Sequence, residues 1–435
     1  MTELAQPRTG TTFRALKHRN YRLWFFGQGI SLIGTWMQTM AQQVLVYRMT
    51  GSAAALGIVS FMGVVPLIPF ALWGGSLSDR IPKRRLLLLT QSLMLLQALA
   101  LGLLTWTGLV QIWHVYVMAF LLGAFKAVDM PARQSFVVEM VEGRQDLTSA
   151  IGLNSAIHNS ARTLGPALAG VLVALMGEAP AFLANALSFV AVIASLLLMT
   201  DVGQEQQTRP VEGRVLAHMA EGVRFVQAHQ VLMVLMSLVA ISSFLSRPYQ
   251  TLMPVFADVT LKDSAGPVIR MICDTPGAWF NCRAPEALPL GLLLSAVGLG
   301  AITGAFLVAS LPEGAPRGRL LTVGNLAFPI SLLIFVGSRS FAVSLAVMLL
   351  VGLSHVFQNS LANTLLQLHS PDGLRGRVMS LYFLISHGMT QMGGLQAGFV
   401  ADRIGAPLSI GVGAGVSLMY GLFVAVRYRR VRELA

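Results

Sequence analysis

Two arginines, Arg162 and Arg247, stand near the middle of long apolar runs, with no carboxylate at their depth to neutralise them. A cation in such surroundings needs a partner or a wet cavity. One reading is a pair of charges that attracts an anionic or electron-rich ligand. The other is a guanidinium hydrogen-bonded to backbone carbonyls and glutamines of neighbouring helices, the preferred reading for Arg247, which precedes Pro248. His158, His355 and His387 also fall in mid-run, and histidine titrates close to neutral pH, so each is a candidate proton carrier or simply a bonded side chain. Asp129 is the one acid near that depth in the first half of the chain, at the end of its run. Uncharged amides complete the set: Gln38, Gln42, Gln43, Asn154, Gln358, Asn359 and Gln391. Gln38 and Gln42 are four apart and share a helix face. Taken together, Arg162, Asn154, Gln38, Gln42, His355, Gln358, Gln391 and Arg247 are the expected ligand-contacting residues, set in a polar but largely uncharged wall. Single amides of this kind also serve as glue between helices.

Other chemistry is missing from the sequence. No glycine-rich phosphate loop ending in Lys-Ser/Thr is present, so a nucleotide-driven pump lacks its site. The eight histidines and two cysteines show no metal-ligand spacing, and no nucleophile stands beside a base. Neither an enzyme nor a cofactor or metal protein is expected.

The elements that must carry these residues are set by hydropathy. The chain has 435 residues, 54% of them hydrophobic and 11% charged, where soluble domains carry about 25% charge. Apolar runs bounded by charge or Gly/Pro clusters fall at 21–47, 53–77, 86–107, 111–130, 147–176, 179–200, 231–257, 289–311, 320–337, 341–368, 377–400 and 406–426. Each is long enough for a bilayer at about 20 residues per crossing. The prediction is an all-α polytopic membrane protein of twelve transmembrane helices. Sorting alternate loops puts 23 of the 31 Lys and Arg on the face of the chain ends, 6 on the other face and 2 inside spans. That bias places both termini in the cytoplasm and the chain in the inner (plasma) membrane. The basic clusters at span ends read as topology determinants and lipid-headgroup contacts, not as a nucleic-acid surface.

The first span follows a basic segment, as a signal peptide would, but is too long and has no small-residue cleavage site. Residues 201–230, polar and of mixed charge with an amphipathic stretch from Val215 to Val226, read as a cytoplasmic linker between an N-terminal half, 1–200, and a C-terminal half, 231–435. Residues 258–288 read as an extracytoplasmic loop holding both cysteines, Cys273 and Cys282, either disulfide-bonded or two free thiols. Sliding the chain by 229 residues lays Gly123 on Gly352, Asp129 on Gln358, Gln134 on Asn363 and Gly165 on Gly394. Such a repeat fits parallel six-helix halves with a site between them near the bilayer midplane.

Two motifs carry a family resemblance. The loop after span two reads Gly75-Ser76-Leu77-Ser78-Asp79-Arg80-Ile81-Pro82-Lys83-Arg84 and resembles the loop signature of the major facilitator superfamily, with Pro82 where glycine is usual. Span five carries Arg162-Thr163-Leu164-Gly165-Pro166, similar to the Gly-Pro motif of that superfamily's exporters, with serine or alanine in place of upstream glycines. The run from Asp129 to Gln134, followed by Asn154 and Arg162, is similar to the branch of enterobactin exporters and drug-efflux permeases. The resemblance implies the major facilitator fold of two pseudo-symmetric six-helix halves. It also implies a monomeric secondary transporter exporting an amphiphilic small molecule, drug-like or siderophore-like, by proton antiport and alternating access. Gly75, Asp79, Arg80, Lys83 and Arg84 would form a latch on the cytoplasmic side, with the basic residues meeting Asp129, and Gly165-Pro166 would shape the moving interface. Asp129 is preferred as latch over proton carrier because it lies at a span end. Small-molecule substrate, protons and membrane lipids are the implied partners.

Two rivals stay open at this level. A lysophospholipid or lipid flippase of the same fold would suit a cavity rich in Met and Phe, of which there are 21 and 22, and would require a zwitterionic lipid. A non-transporting membrane sensor or scaffold would tolerate Asp79→Asn or Arg162→Ala.

Overall fold

A computed structural model describes residues 13–67, 70, 81–141, 143–200, 215–274, 282–312 and 314–434. The first six spans are α1 (Arg19–Thr50), α2 (Ala53–Met62), α3 (Lys83–Trp106), α4 (Ile112–Glu139), α5 (Gly143–Met176) and α6 (Ala179–Leu197). The linker helix is α7 (Val215–Ala228). The second set comprises α8 (Gln230–Thr260), then α10 (Ala287–Ala309), α11 (Arg317–Gly337), α12 (Phe341–Leu368), α13 (Asp372–Ile404) and α14 (Ala406–Arg427), with α9 (Lys262–Cys273) between α8 and α10. The segment expected to be a loop at 258–288 is therefore partly helical: α8 runs on to Thr260, and Lys262–Cys273 forms α9. Cys273 is disulfide-bonded to Cys282.

Eight helices among the described residues are long and apolar enough to cross a bilayer. Three more, α1, α5 and α13, are longer than 30 residues but carry the glutamines, asparagines, histidines and arginine that lower their hydropathy. Those same helices line the interior cavity. A helix with one side toward water-filled space needs polar residues there, so its mean hydropathy falls while its length does not.

In lipid, helices associate by close contact and hydrogen bonds more than by hydrophobic exclusion, so small residues decide where they meet. A Cβ added at Gly352 on α12 would fall 2.0 Å from the Val297 carbonyl oxygen on α10, and one at Gly123 on α4 would fall 2.2 Å from the Gly63 carbonyl oxygen beyond α2. These are matching glycines in the 229-residue repeat, and they admit matching neighbours. The polar pair of the repeat behaves alike. Asp129 accepts from Thr90 and Gln91 on α3, while Gln358 donates to Asn325 on α11 and accepts from Ser242 on α8.

The halves touch on the face opposite the chain ends. There α5 packs on α10, where a Cβ at Gly291 would come within 2.6 Å of the Pro166 carbonyl oxygen, and α2 packs on α13, where one at Gly398 would come within 2.5 Å of the Ala53 carbonyl oxygen. The hydrogen bonds joining the halves among the described residues share that side. The backbone N–H groups of Arg283 and Ala284 donate to the Ala174 carbonyl at 2.8 and 3.2 Å, and Ser295 donates to the Thr163 carbonyl at 2.9 Å. At the start of α2, Ser52 Oγ and the Ala53 and Ala54 N–H groups donate to the Asp402 carboxylate, at 2.6, 2.6 and 3.3 Å. On the face of the chain ends, Ile151 and Val138 stand 57% and 53% exposed, and the two halves diverge.

Candidate functional site

A cavity of about 1130 Å³ opens between the halves. Its wall comes mainly from α1, α2, α4 and α5 of the first half, with Met94 of α3 and Phe189 of α6, and from α8, α10 and α13 of the second. Of the residues singled out by sequence, it brings together Gln42, Gln43, Asp129, Asn154, His158, Arg162, Pro166, Arg247, His387 and Gln391.

Arg162 holds its guanidinium carbon 5.9 Å from the centre of the Trp36 ring on α1. His158, one turn earlier on α5, meets the same indole edge-on at 6.4 Å. A Cβ at Gly165 would lie 2.4 Å from the Trp36 Cβ, so the glycine of the Gly165-Pro166 motif is what lets α1 bring Trp36 under Arg162. Trp36 was not anticipated; it lies one turn from Met40 and two from Gln43, and all three line the same wall.

Arg247 owes its place to a local irregularity. Pro248 has no N–H to offer the Phe244 carbonyl, and the helix widens to a π turn over Ser242–Ser246, with Arg247 N donating to Ser242 O at 3.0 Å. A Cβ at Gly393 would lie 2.1 Å from the freed Phe244 carbonyl oxygen. Arg247 Nη1 donates to the Ser386 carbonyl and hydroxyl on α13, at 3.2 and 3.0 Å, while its Nε is buried without a partner. It is thus both bonded to a neighbouring helix and part of the cavity wall.

Several expected contacts lie elsewhere. Gln38 is buried in an amide chain, donating to Gln97 at 3.2 Å and accepting from Asn185 at 2.6 Å. Residues four apart differ by about 40° around a helix, and the cavity's edge runs between Gln42 and Gln38. Gln358 and His355 sit on α12, which glycine contacts hold against α10, away from the cavity. Both polar atoms of Gln358 are engaged, its Nε2 by Asn325 and its Oε1 by Ser242. His355 packs 5.4 Å from the Phe328 ring, with neither ring nitrogen bonded. His387 does line the cavity, stacked on Phe383 at 4.1 Å.

The latch also differs from expectation. Gly75, Asp79 and Arg80 lie outside the described residues. Lys83 pairs with Glu139, not with Asp129, because α4 continues nine residues past the predicted end of its span. Arg84 donates to the Leu196 and Leu197 carbonyls at 2.7 and 3.0 Å, orphan acceptors at the end of α6. Asp129 is bonded instead to Thr90 and Gln91, both at 2.8 Å, and to Arg133 one turn on in its own helix.

Four further residues escaped the sequence reading. Lys126, counted there with the loops, lines the cavity, as does Arg133. Asp402 holds the first turn of α2, and its signal was legible: Gly398-Phe399-Val400-Ala401-Asp402-Arg403-Ile404 repeats the Gly, Asp-Arg and Ile spacing of Gly75 to Ile81. Glu178, at the closed side of the seam, is 1% exposed. Its Oε2 lies 2.7 Å from Arg48 and its Oε1 has no partner. Burial raises its carboxyl pKa, Arg48 works against that, and the neighbouring Glu286 adds to the rise.

A two-half helical bundle enclosing a largely apolar cavity set with a few charged and amide groups, sealed at one end, is the architecture of a major facilitator transporter. Residues 10–269 and 281–434 match the family described as transmembrane secretion effector, and the chain belongs to that family. It is similar to the staphyloferrin A transporter of Staphylococcus aureus (strain NCTC 8325 / PS 47), 25% identical over 88% of this chain and 90% of that one. The multidrug efflux pump Tap of Mycobacterium tuberculosis (strain ATCC 25618 / H37Rv) is 26% identical over 94% and 91%. Among solved structures, the nucleoside transporter NupG superposes with a TM-score of 0.70 at 10% identity, covering 95% of this chain and 99% of that one. A bacterial homologue of the human lysosomal transporter Spinster, inward-facing and unoccupied, gives 0.62 at 14%, covering 98% of each. At those identities the structural likeness shows the fold alone.

Proposed function

We propose that this protein is a secondary transporter that exports an amphiphilic small molecule from the cytoplasm across the inner membrane in exchange for protons. Residues 1–200 and 231–435 act as the two rocking bodies, joined by 201–230. The observation that carries the reading is the cavity of about 1130 Å³, open toward the chain ends and closed on the far side by the backbone contacts of α2 with α13 and α5 with α10. With the termini cytoplasmic, as the charge bias argues, this is the state that loads cargo from inside. Release requires the α2–α13 and α5–α10 seams to part while the opposite ends of the halves come together. The names borne by the relatives, a siderophore transporter and a drug efflux pump, agree with export.

For proton exchange, His158, His387 and Asp129 are the candidates that face the cavity; Asp129 is tied to Arg133, which leaves the two histidines, and His355 is packed away from the cavity. The test uses everted membrane vesicles energised by an inward-acid gradient and offered fluorescent cargo of several charge types. Accumulation that collapses with a proton uncoupler is expected. Accumulation in right-side-out vesicles alone would reverse the direction, and accumulation indifferent to the uncoupler would remove proton coupling.

A further inference from the structure

Five charged side chains line the cavity: Lys126, Arg133, Arg162 and Arg247, against the single carboxylate of Asp129. Arg133 and Asp129 satisfy each other, with Nε 2.9 Å from Oδ2. Arg247 is bonded to Ser386 and to no acid. Arg162 has the Trp36 indole for company. Among the described residues, neither Lys126 nor Arg162 forms an ion pair. Three cations therefore face the cavity without an ion-pair partner, one each from α4, α5 and α8, and the one carboxylate within reach of Lys126, that of Asp129, is already bonded to Arg133. They are close enough to act together, since Arg133, Arg162 and Lys126 all lie within electrostatic reach of His158, and Arg162 lies within reach of Arg247.

We propose that the cargo is an organic anion bearing carboxylate or equivalent oxyanion groups, gripped between Lys126 and Arg162 on one half and Arg247 on the other; this rests on the transport reading above. A narrow cleft lined by one sign of charge focuses the field and concentrates ions of the opposite sign. Charged donors make short, strong hydrogen bonds to oxyanions, and Gln42, Gln43, Asn154 and Gln391 on the same wall offer amide donors to the remaining oxygens. A cationic cargo finds no free carboxylate, because Asp129 is taken by Arg133, and Trp36 already has the Arg162 guanidinium over its ring. The placement also gives the anion a mechanical role. Arg162 and Arg247 belong to opposite halves and repel each other when the cavity is empty. An anion between them cancels that repulsion and lets the halves close over it.

Purified full-length protein in lipid nanodiscs can be titrated with two dyes of similar size, fluorescein as the anion and ethidium as the cation, followed by fluorescence polarisation, with citrate as competitor. Fluorescein is expected to bind, to be displaced by citrate, and to weaken as salt rises. Its dissociation constant should rise about tenfold or more in Lys126→Gln and in Arg162→Gln, and return to within about threefold of wild type in Lys126→Arg and Arg162→Lys. Elution volume and thermal midpoint identify a variant that has merely misfolded, and the charge-keeping pair then decides. Ethidium binding as tight as fluorescein, fluorescein binding indifferent to both Gln variants, or no binding of either dye or citrate would each overturn the proposal. The vesicle assay separates this from the transport reading. Movement of ethidium but not fluorescein keeps export and rejects the anion, while fluorescein bound at these residues but never moved keeps the anion site and rejects export.

Discussion

The guanidinium carbon of Arg162 stands 5.9 Å from the centre of the Trp36 indole, and Gly165 on the same helix as Arg162 makes the room that indole needs. Charge, ring and missing side chain thus form one unit across α1 and α5. Gly165→Ala should drive a methyl into the Trp36 Cβ and the Ile33 carbonyl, 2.4 and 3.0 Å away. Overpacking of this kind costs about 1–3 kcal/mol. The expected outcome is a lower thermal midpoint together with at least a tenfold loss of flux at matched abundance; unchanged flux would show that the Trp36 position is immaterial.

Asp402 bridges the two halves by accepting from Ser52 and from the Ala53 and Ala54 N–H groups. Loss of a capping side chain costs about 1 kcal/mol, roughly a fivefold change in a two-state population. Asp402→Ala should therefore move the resting equilibrium toward separation on that face. Spin labels at Leu109 and Arg339, on opposite halves of the same face, would report a larger share of long distances. An unaltered distribution would show that the cap does not hold the seam.

Glu178 supplies the pH dependence. Its carboxyl pKa is raised in the sealed state, chiefly by burial, and falls back when the seam opens to water. The sealed state therefore binds the proton more tightly, so acid favours sealing, and that preference is lost as pH rises through the raised value. The same label pair should show more separation at alkaline than at acidic pH. Glu178→Gln should remove the dependence and hold the sealed population high; a dependence that survives the substitution would assign it to another group.

Asp129→Asn preserves shape but leaves Arg133 without its counter-charge. The variant should lose about 1–3 kcal/mol of stability, seen as a lower thermal midpoint, while the protons exchanged per cargo molecule stay the same. A changed stoichiometry at normal stability would instead make Asp129 the proton carrier.

The spans were legible because an apolar run is local: 341–368 is the helix Phe341–Leu368 without adjustment. Which side of each helix faces the cavity was not, because that is decided by neighbours. Gln42 and Gln38 look equivalent on α1 until Gln97 and Asn185 draw Gln38 inward. Asp129 and Gln358 match in the repeat, yet only Asp129 lines the cavity. Lys126 stands four residues before the predicted span end at 130 and so reads as a loop charge, but α4 continues to Glu139 and leaves it well inside the helix. Arg162 and Gly165-Pro166 were readable because a cation in mid-span and a proline beside glycine are rare enough to demand a reason.

The seal and the recognition surface are written in different chemical alphabets. Carbonyl oxygens, amide hydrogens and absent side chains, with the one carboxylate of Asp402 and two serine hydroxyls, hold the far face shut, whereas guanidinium, ammonium, indole and amide groups dress the cavity. If the cavity is where cargo binds, a lineage could exchange the second vocabulary residue by residue, acquiring new cargo, without rewriting the seam between the halves.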